Sequence, residues 1–320
     1  MKSLRELSIE NCEKIGQGLA GAVYALDDKT IVKVAYGAEP EAIQKRMSHE
    51  LTVAQELVRC GIPTPQAYEM VSVDGSAGLI YERLVGEDLS DYIKDHPDEI
   101  DALAAKVSEI LHKLHRAAPQ MDGLPSMKET LLAFLPKMTA LYSDDELEIL
   151  RRTYETVPDR KTFVHGDMNP GNMMRTTDGG LWMIDVGTVS VGHPYFEFMN
   201  MYPPYLMLGD IAYGKEEAYA YYAKLMGEED AEGVQKNIDL MKIYYDGLLH
   251  SYFAGLSDDE RETVMERIRI LAYQKMIPFY AKLPLSDEAE KQKNLQRIKE
   301  KYFTESKDIP PVTEWWKETE

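Results

Sequence analysis

Phe163-Val164-His165-Gly166-Asp167-Met168-Asn169-Pro170-Gly171-Asn172-Met173-Met174, followed by a polar stretch and then Leu181-Trp182-Met183-Ile184-Asp185-Val186-Gly187, decides the fold of this chain. A short run at residues 162–164 stops at His165, and a polar loop then carries Asp167 and Asn172. A second strand is expected over residues 181–184, with Asp178-Gly179-Gly180 as the turn and Asp185 delivered at the strand's end. Asp167 offers a carboxylate that can accept a hydroxyl proton, while Asn172 and Asp185 offer hard oxygen ligands suited to Mg²⁺. These are the groups that phosphoryl transfer from ATP calls for, and no nucleophilic Ser or Cys is needed.

Upstream, residues 15–24 contain Gly16-x-Gly18-x-x-Gly21. A dinucleotide-binding fingerprint with these spacings should open a helix. Here residues 22–26 continue as a strand, Asp27-Asp28-Lys29 turns, and residues 30–35 form another strand, so the pattern predicts a glycine-rich hairpin over phosphates. Bare glycines let backbone N–H groups approach phosphate oxygens. Lys33 sits among Ile31, Val32, Val34 and Ala35, a setting that sends its ammonium to a charged partner or to water. Apolar residues Ile43, Met47, Leu51, Ala54, Leu57 and Val58 recur at helical spacing over residues 39–59, and Gly61 and Pro63 end that helix. Strands are expected over residues 66–73 and 77–82, and Asp88 is placed to cap a helix starting at Leu89.

His165-x-Asp167-x4-Asn172 followed by Asp185-x-Gly187 resembles the protein-kinase-like superfamily, and the His-Gly-Asp form is similar to its aminoglycoside phosphotransferase and choline kinase branch. The resemblance covers most of residues 13–200. It implies an α+β, bilobal protein-kinase-like fold, with a small β-rich nucleotide-binding lobe over residues 1–82 and a larger, mainly helical lobe over residues 83–320. It implies ATP and Mg²⁺ as cofactors, Asp167 as the group that orients and deprotonates the acceptor hydroxyl, and His165 as a brace for the loop. By the same resemblance Asn172 and Asp185 hold the metal, and Gly16, Gly18, Gly21 and Lys33 meet the phosphates. Glu50 matches the helix glutamate that pairs with the strand lysine, with Glu56 as its competitor and a surface carboxylate as the ordinary alternative. Glu82 to Gly86 resembles the hinge between lobes, where backbone groups around Glu82 and Leu84 would bind adenine.

The chain departs from the family pattern in places. His193 stands where an acid is usual, and Glu197 where an Asp is common. Val186 is not the Phe of protein kinases, Gly166 replaces their catalytic-loop Arg, and residues 188–193 leave no room for an activation segment. A small-molecule hydroxyl acceptor is therefore expected rather than a protein.

With 36 basic against 55 acidic residues, the formal charge of −19 disfavours nucleic acid and anionic membranes as partners and favours a cationic acceptor. The resemblance implies the kind of cation: an amino sugar, an aminoglycoside, or a choline-like or fructosamine-like molecule. The alternative is a nucleotide-binding regulatory protein of the same fold with little or no turnover, against which the full set of base and metal residues counts. Only Cys12 and Cys60 are present, and the opening Met-Lys-Ser-Leu-Arg-Glu has no apolar signal core, so a cytoplasmic location is expected. A helix is expected over residues 98–118, carrying His112 and His115 in structural roles. Further helices are expected over residues 127–142 and 144–156 and through residues 195–303. The tyrosines of that last region, Tyr202, Tyr205, Tyr213, Tyr219, Tyr221, Tyr222, Tyr244, Tyr245 and Tyr252, read as core rather than as a cage for a quaternary amine. Trp315 and Trp316 are expected to dock the tail on the body.

Overall fold

The computed structural model describes residues 4–18, 21–37, 39–121, 123–201, 231–283 and 285–305. These fall into two compact units, the first within residues 1–92, 117–123 and 169–189, the second within residues 93–116, 124–168 and 190–320.

The first unit holds a mixed six-stranded sheet of β1 (Arg5–Glu6), β2 (Lys14–Gln17), β3 (Gly21–Ala25), β4 (Thr30–Ala35), β5 (Ala67–Val73) and β6 (Ser76–Glu82). The strand order is β1-β5-β6-β4-β3-β2, with β1 parallel to β5 and the other neighbours antiparallel. Alternation in β4 gives each face its own task. Val32 and Val34 join Val71, Val73 and Ile80 in a core covered by Leu7, Ile9, Tyr24 and Leu26. Lys33 pairs with Leu79 and Ile31 with Tyr81, which puts Lys33 and Tyr81 together on the opposite face. That face meets the helix α1 (Pro40–Arg59), which buries Ile43, Met47, Val53, Ala54 and Leu57. Pro40 opens α1 where its missing N–H costs nothing. At the other end Gly61 adopts φ +73° and the Ile62 N–H returns to the Leu57 carbonyl at 3.0 Å, a glycine stop.

The same unit contains the hairpin Met173–Thr176 and Leu181–Met183, in register from Leu181 opposite Arg175 to Met183 opposite Met173, with Gly86–Asp88 as a third strand. Asp88 caps the helix Leu89–Asp95 by accepting the Asp91 N–H at 2.9 Å.

In the second unit the helix Ile100–Arg116 buries Leu103, Ala104, Val107, Leu111 and Leu114 and packs against Ala231–Tyr252. Phe163–Val164 pairs with Ser190–Val191, fixing the start of the His165 loop. The helices Asp144–Glu155 and Asp258–Lys282 each open with a capping box, Ser143 with Glu146 and Ser257 with Glu260. The helix expected over residues 127–142 is shorter: it runs Met127–Phe134 and passes into a 3₁₀ turn, Leu135–Lys137, because Pro136 has no N–H with which to continue it. Tyr244, Tyr245 and Tyr252 are buried in the helical core. The other six tyrosines of that expectation, and Trp315 and Trp316, lie outside the described residues. No helix among the described residues is long and apolar enough to cross a membrane.

Candidate active site

Within the first unit, Lys33 lies 2.6 Å from Glu50 Oε1 and 2.7 Å from Asp185 Oδ1, joining strand, helix and loop in one ion-paired group. Burial works against the Lys33 ammonium, but the Glu50 and Asp185 carboxylates outweigh it and hold the amine above its ordinary pKa. Glu50, expected either as the partner or as a surface carboxylate, is only 2% exposed. The Tyr81 hydroxyl donates to the same Oε1 at 2.8 Å. Glu56 is engaged elsewhere: it accepts from Arg59 at 2.7 and 2.6 Å and from the Gln120 N–H at 2.6 Å. The Arg59 guanidinium is the main cause of its pKa falling to about 2.

Asp185 is a non-glycine residue in left-handed backbone, φ 54° and ψ 54°, a conformation that costs on the order of 1 kcal/mol and recurs at functional loops. Its carboxylate remains nearly half exposed despite the lysine. One residue earlier, the Ile184 N–H bonds the Asn172 carbonyl at 2.9 Å, which keys the Asn172 turn to the Asp185 loop. One carboxylate and one amide oxygen in this register suit a divalent ion that completes its shell with water and phosphate oxygens. Among the described residues there is no cluster of three or more His, Cys, Asp or Glu that would form an all-protein cage.

The glycine-rich hairpin forms between β2 and β3, with the Gly18 N–H donating to the Gly21 carbonyl at 2.9 Å. Its glycines differ in kind. A Cβ on Gly21 would stand 2.3 Å from the Val34 carbonyl oxygen, so Gly21 is required by strand packing, whereas a Cβ on Gly18 would meet nothing within 4 Å among the described residues. Gly16 has only ordinary contact with Val23. At the end of β6, the Glu82 N–H donates to the Gln66 carbonyl at 2.8 Å and its carboxylate accepts the Gln66 N–H at 3.2 Å; Leu84 follows, half-buried.

Within the second unit, His165 is buried and Asp167, two residues on, is exposed. Their loop is held by a residue flagged in the sequence only as a departure. The fully buried Glu197 accepts the backbone N–H of His165, and that of Gly166 at 3.1 Å, and stands 3.4 Å from His115 Nε2. Burial pushes this carboxylate up, but the His115 contact, the nearby His165 ring and the His165 N–H prevail and its pKa is lowered. His115 Nδ1 bonds the Tyr252 hydroxyl at 2.8 Å and His112 stacks on the Tyr252 ring, so both histidines are tied into the core. His193 is buried, stacked on Tyr195, and accepts the Tyr195 N–H at 3.2 Å; desolvation first, and nearby Arg160, lower its pKa to about 3.

Tyr81 and Glu197 are the two contributors that the sequence alone did not assign. Tyr81 carries a signal, a hydroxyl in the apolar run Leu79-Ile80-Tyr81 two residues from the partner of Lys33. For Glu197 the signal is its position in the motif that follows Gly187.

A family model described as the phosphotransferase enzyme family matches residues 11–230, well over half of the chain. No curated protein sequence matches it. Among solved structures, a thermostable mutant of aminoglycoside phosphotransferase APH(4)-Ia is 14% identical and superposes with a TM-score of 0.51, covering 91% of this chain and 94% of that one. ADP-bound APH(2'')-Ib is 17% identical, with a TM-score of 0.46 and coverage of 91% and 92%. APH(3'')-Id from Streptomyces rimosus ATCC10970 is 17% identical, with a TM-score of 0.46 and coverage of 72% and 92%. The likeness to APH(4)-Ia is one of fold, and it agrees with a sheet-containing N-terminal part followed by helices. The chain belongs to the phosphotransferase enzyme family and is a small-molecule kinase of protein-kinase-like fold.

Proposed function

We propose that the protein transfers the γ-phosphate of ATP to a hydroxyl of a small cationic molecule such as an amino sugar, an aminoglycoside, or a choline-like or fructosamine-like compound. The observation that carries this reading is the Lys33 ammonium held between Glu50 and Asp185, at 2.6 and 2.7 Å. A lysine so placed is a fixed positive charge for phosphate oxygens, and the open space at Gly18 admits a phosphate to the backbone. Backbone groups near Glu82 and Leu84 receive the adenine. Asn172 and Asp185 hold Mg²⁺, which neutralises negative charge on the phosphates when bound.

Asp167 accepts the proton as the acceptor oxygen forms its bond to the γ-phosphorus and the bond to the β–γ bridging oxygen breaks, leaving ADP. His165 braces the loop rather than moving protons. Residues 1–82 serve as the nucleotide lobe and residues 83–320 carry the acceptor side. The net charge of −19 supports a cationic acceptor through long-range attraction, and a cytoplasmic site of action supplies ATP.

The test is ATP consumption with Mg²⁺ across aminoglycosides, choline, ethanolamine, fructosamines and neutral sugars, with Asp167→Asn alongside. Turnover with a cationic acceptor that is lost in Asp167→Asn, with ATP affinity retained, is the expected result. Unchanged turnover in that variant overturns the role of Asp167, turnover with neutral sugars alone overturns the cationic acceptor, and absence of ATP binding overturns the whole reading.

A further inference from the structure

The Lys33 ammonium is shared between Glu50 and Asp185 at nearly equal distances, so the ion pair alone pulls the lysine in two directions and leaves Glu50 with a divided partner. Glu50 nevertheless has a second donor on the same oxygen, the Tyr81 hydroxyl at 2.8 Å. The two donors come from adjacent strands of fixed register, Tyr81 opposite Ile31 and Lys33 opposite Leu79, so both project from one face of the sheet toward α1. Tyr81 is also locked from the other side by its pairing with Ala67 on β5.

We propose that Tyr81 is a positioning residue for phosphate binding: its hydroxyl fixes the Glu50 carboxylate, and Glu50 in turn fixes Lys33, independently of how Lys33 is shared with Asp185. This rests on the reading of Lys33 and Glu50 as the phosphate clamp. The hydroxyl suits the task. It is buried, and burial together with the Glu50 charge keeps its pKa well above the ordinary value, so it remains a donor at any working pH. A neutral donor to a buried carboxylate adds a charge-assisted hydrogen bond without adding another cation to the site.

The test is a double-mutant cycle on ATP affinity, measured by calorimetry with Mg²⁺ present, using Tyr81→Phe, Glu50→Gln and the double variant, with Lys33→Met as control. Tyr81→Phe is expected to weaken ATP about five- to tenfold in the wild-type background, the scale of one ordinary hydrogen bond, and less than twofold when Glu50 is already Gln. Such coupling would not arise from a general packing defect, which would cost the same in both backgrounds. Tyr81→Met, which fills the site without a donor, is carried through the same cycle so that the comparison does not hang on one variant folding. Equal losses in both backgrounds, or no loss in the wild-type background while Lys33→Met is impaired, overturns the role of Tyr81 alone. Unaltered ATP affinity in Lys33→Met overturns the phosphate clamp itself and the role of Tyr81 with it.

Discussion

Glu50 lies over the bare α-carbon of Gly187: a Cβ built there would stand 2.9 Å from Glu50 Oε2. A long carboxylate can ordinarily swing away from such a contact, but this one is held through Oε1 by Lys33 and Tyr81. The glycine two residues after Asp185 is therefore part of the clamp, not a hinge by virtue of flexibility. Gly187→Ala is expected to cost about 1–2 kcal/mol of stability, the scale of overpacking, and to weaken ATP about tenfold as Glu50 is displaced. Chemical denaturation and calorimetry measure the two effects; an alanine variant with unaltered ATP affinity would mean that Glu50 has room to move.

Glu197 does for the His165 loop what Tyr81 does for Glu50. Its carboxylate accepts two consecutive backbone N–H groups in a fully buried setting. Glu197→Ala is expected to lose about 2–4 kcal/mol, because two donors and His115 are left without their acceptor. Its folded pKa is lowered, so its stabilising contribution is present above the unfolded value of about 4.3 and is lost as pH falls through the folded value. Urea midpoints for wild type and Glu197→Gln, measured from pH 7 to pH 3, should begin to draw together once pH falls below the unfolded value of about 4.3; parallel curves would remove the carboxylate's charge from the account.

Much of this was legible in the sequence because the chemistry restricts the residue types. Asp185 announces itself as a carboxylate at the end of an apolar run, Asp167 and Asn172 as polar groups in the loop that follows another, and Lys33 as a cation inside one. Glu50 and Glu56 were harder to separate: both lie on α1, both are buried, and both are ion-paired. What distinguishes them is where each side of α1 faces, Glu50 toward the sheet residues Lys33 and Tyr81, Glu56 toward Gln120 and Met121. That is tertiary information. Pro136 was readable as a helix stop and overrode an apolar pattern that continued past it. Glu197 stayed unassigned because its partners are backbone N–H groups, which have no sequence signature.

His193 makes the second unit acid-sensitive at higher pH than Glu197 does. Its folded pKa is about 3, lowered by burial and by the positive charge of Arg160, against about 6.5 in the unfolded chain. The unfolded state therefore binds the proton first. The contribution of His193 to stability is complete above about pH 6.5 and falls by up to ~1.4 kcal/mol per pH unit below it. His112, lowered to about 4 mainly by burial, adds to the same window. His193→Asn, which keeps an acceptor for the Tyr195 N–H and does not titrate, should flatten the urea midpoint between pH 6.5 and pH 5. An unaltered slope would show that His193 is protonated in the folded protein without penalty.

The glycine-rich hairpin supplies a contrast within one motif. Gly21 faces the Val34 carbonyl oxygen so closely that a Cβ would lie 2.3 Å away, and that oxygen belongs to the strand carrying Lys33. Backbone cannot rotate aside as a side chain can, so Gly21→Ala must spread β3 from β4, with an expected loss of about 2–3 kcal/mol and a fall in thermal midpoint. Among the described residues Gly18 has no neighbour within 4 Å of its Cβ position, and Gly18→Ala should leave the thermal midpoint nearly unchanged. If phosphate approaches the backbone there, the same alanine weakens ATP several-fold while leaving adenosine affinity alone, since adenosine has no phosphate to be obstructed. Equal effects on ATP and adenosine would place the Gly18 methyl against the base or sugar instead, and a stability loss matching that of Gly21→Ala would mean that the two glycines share one structural task.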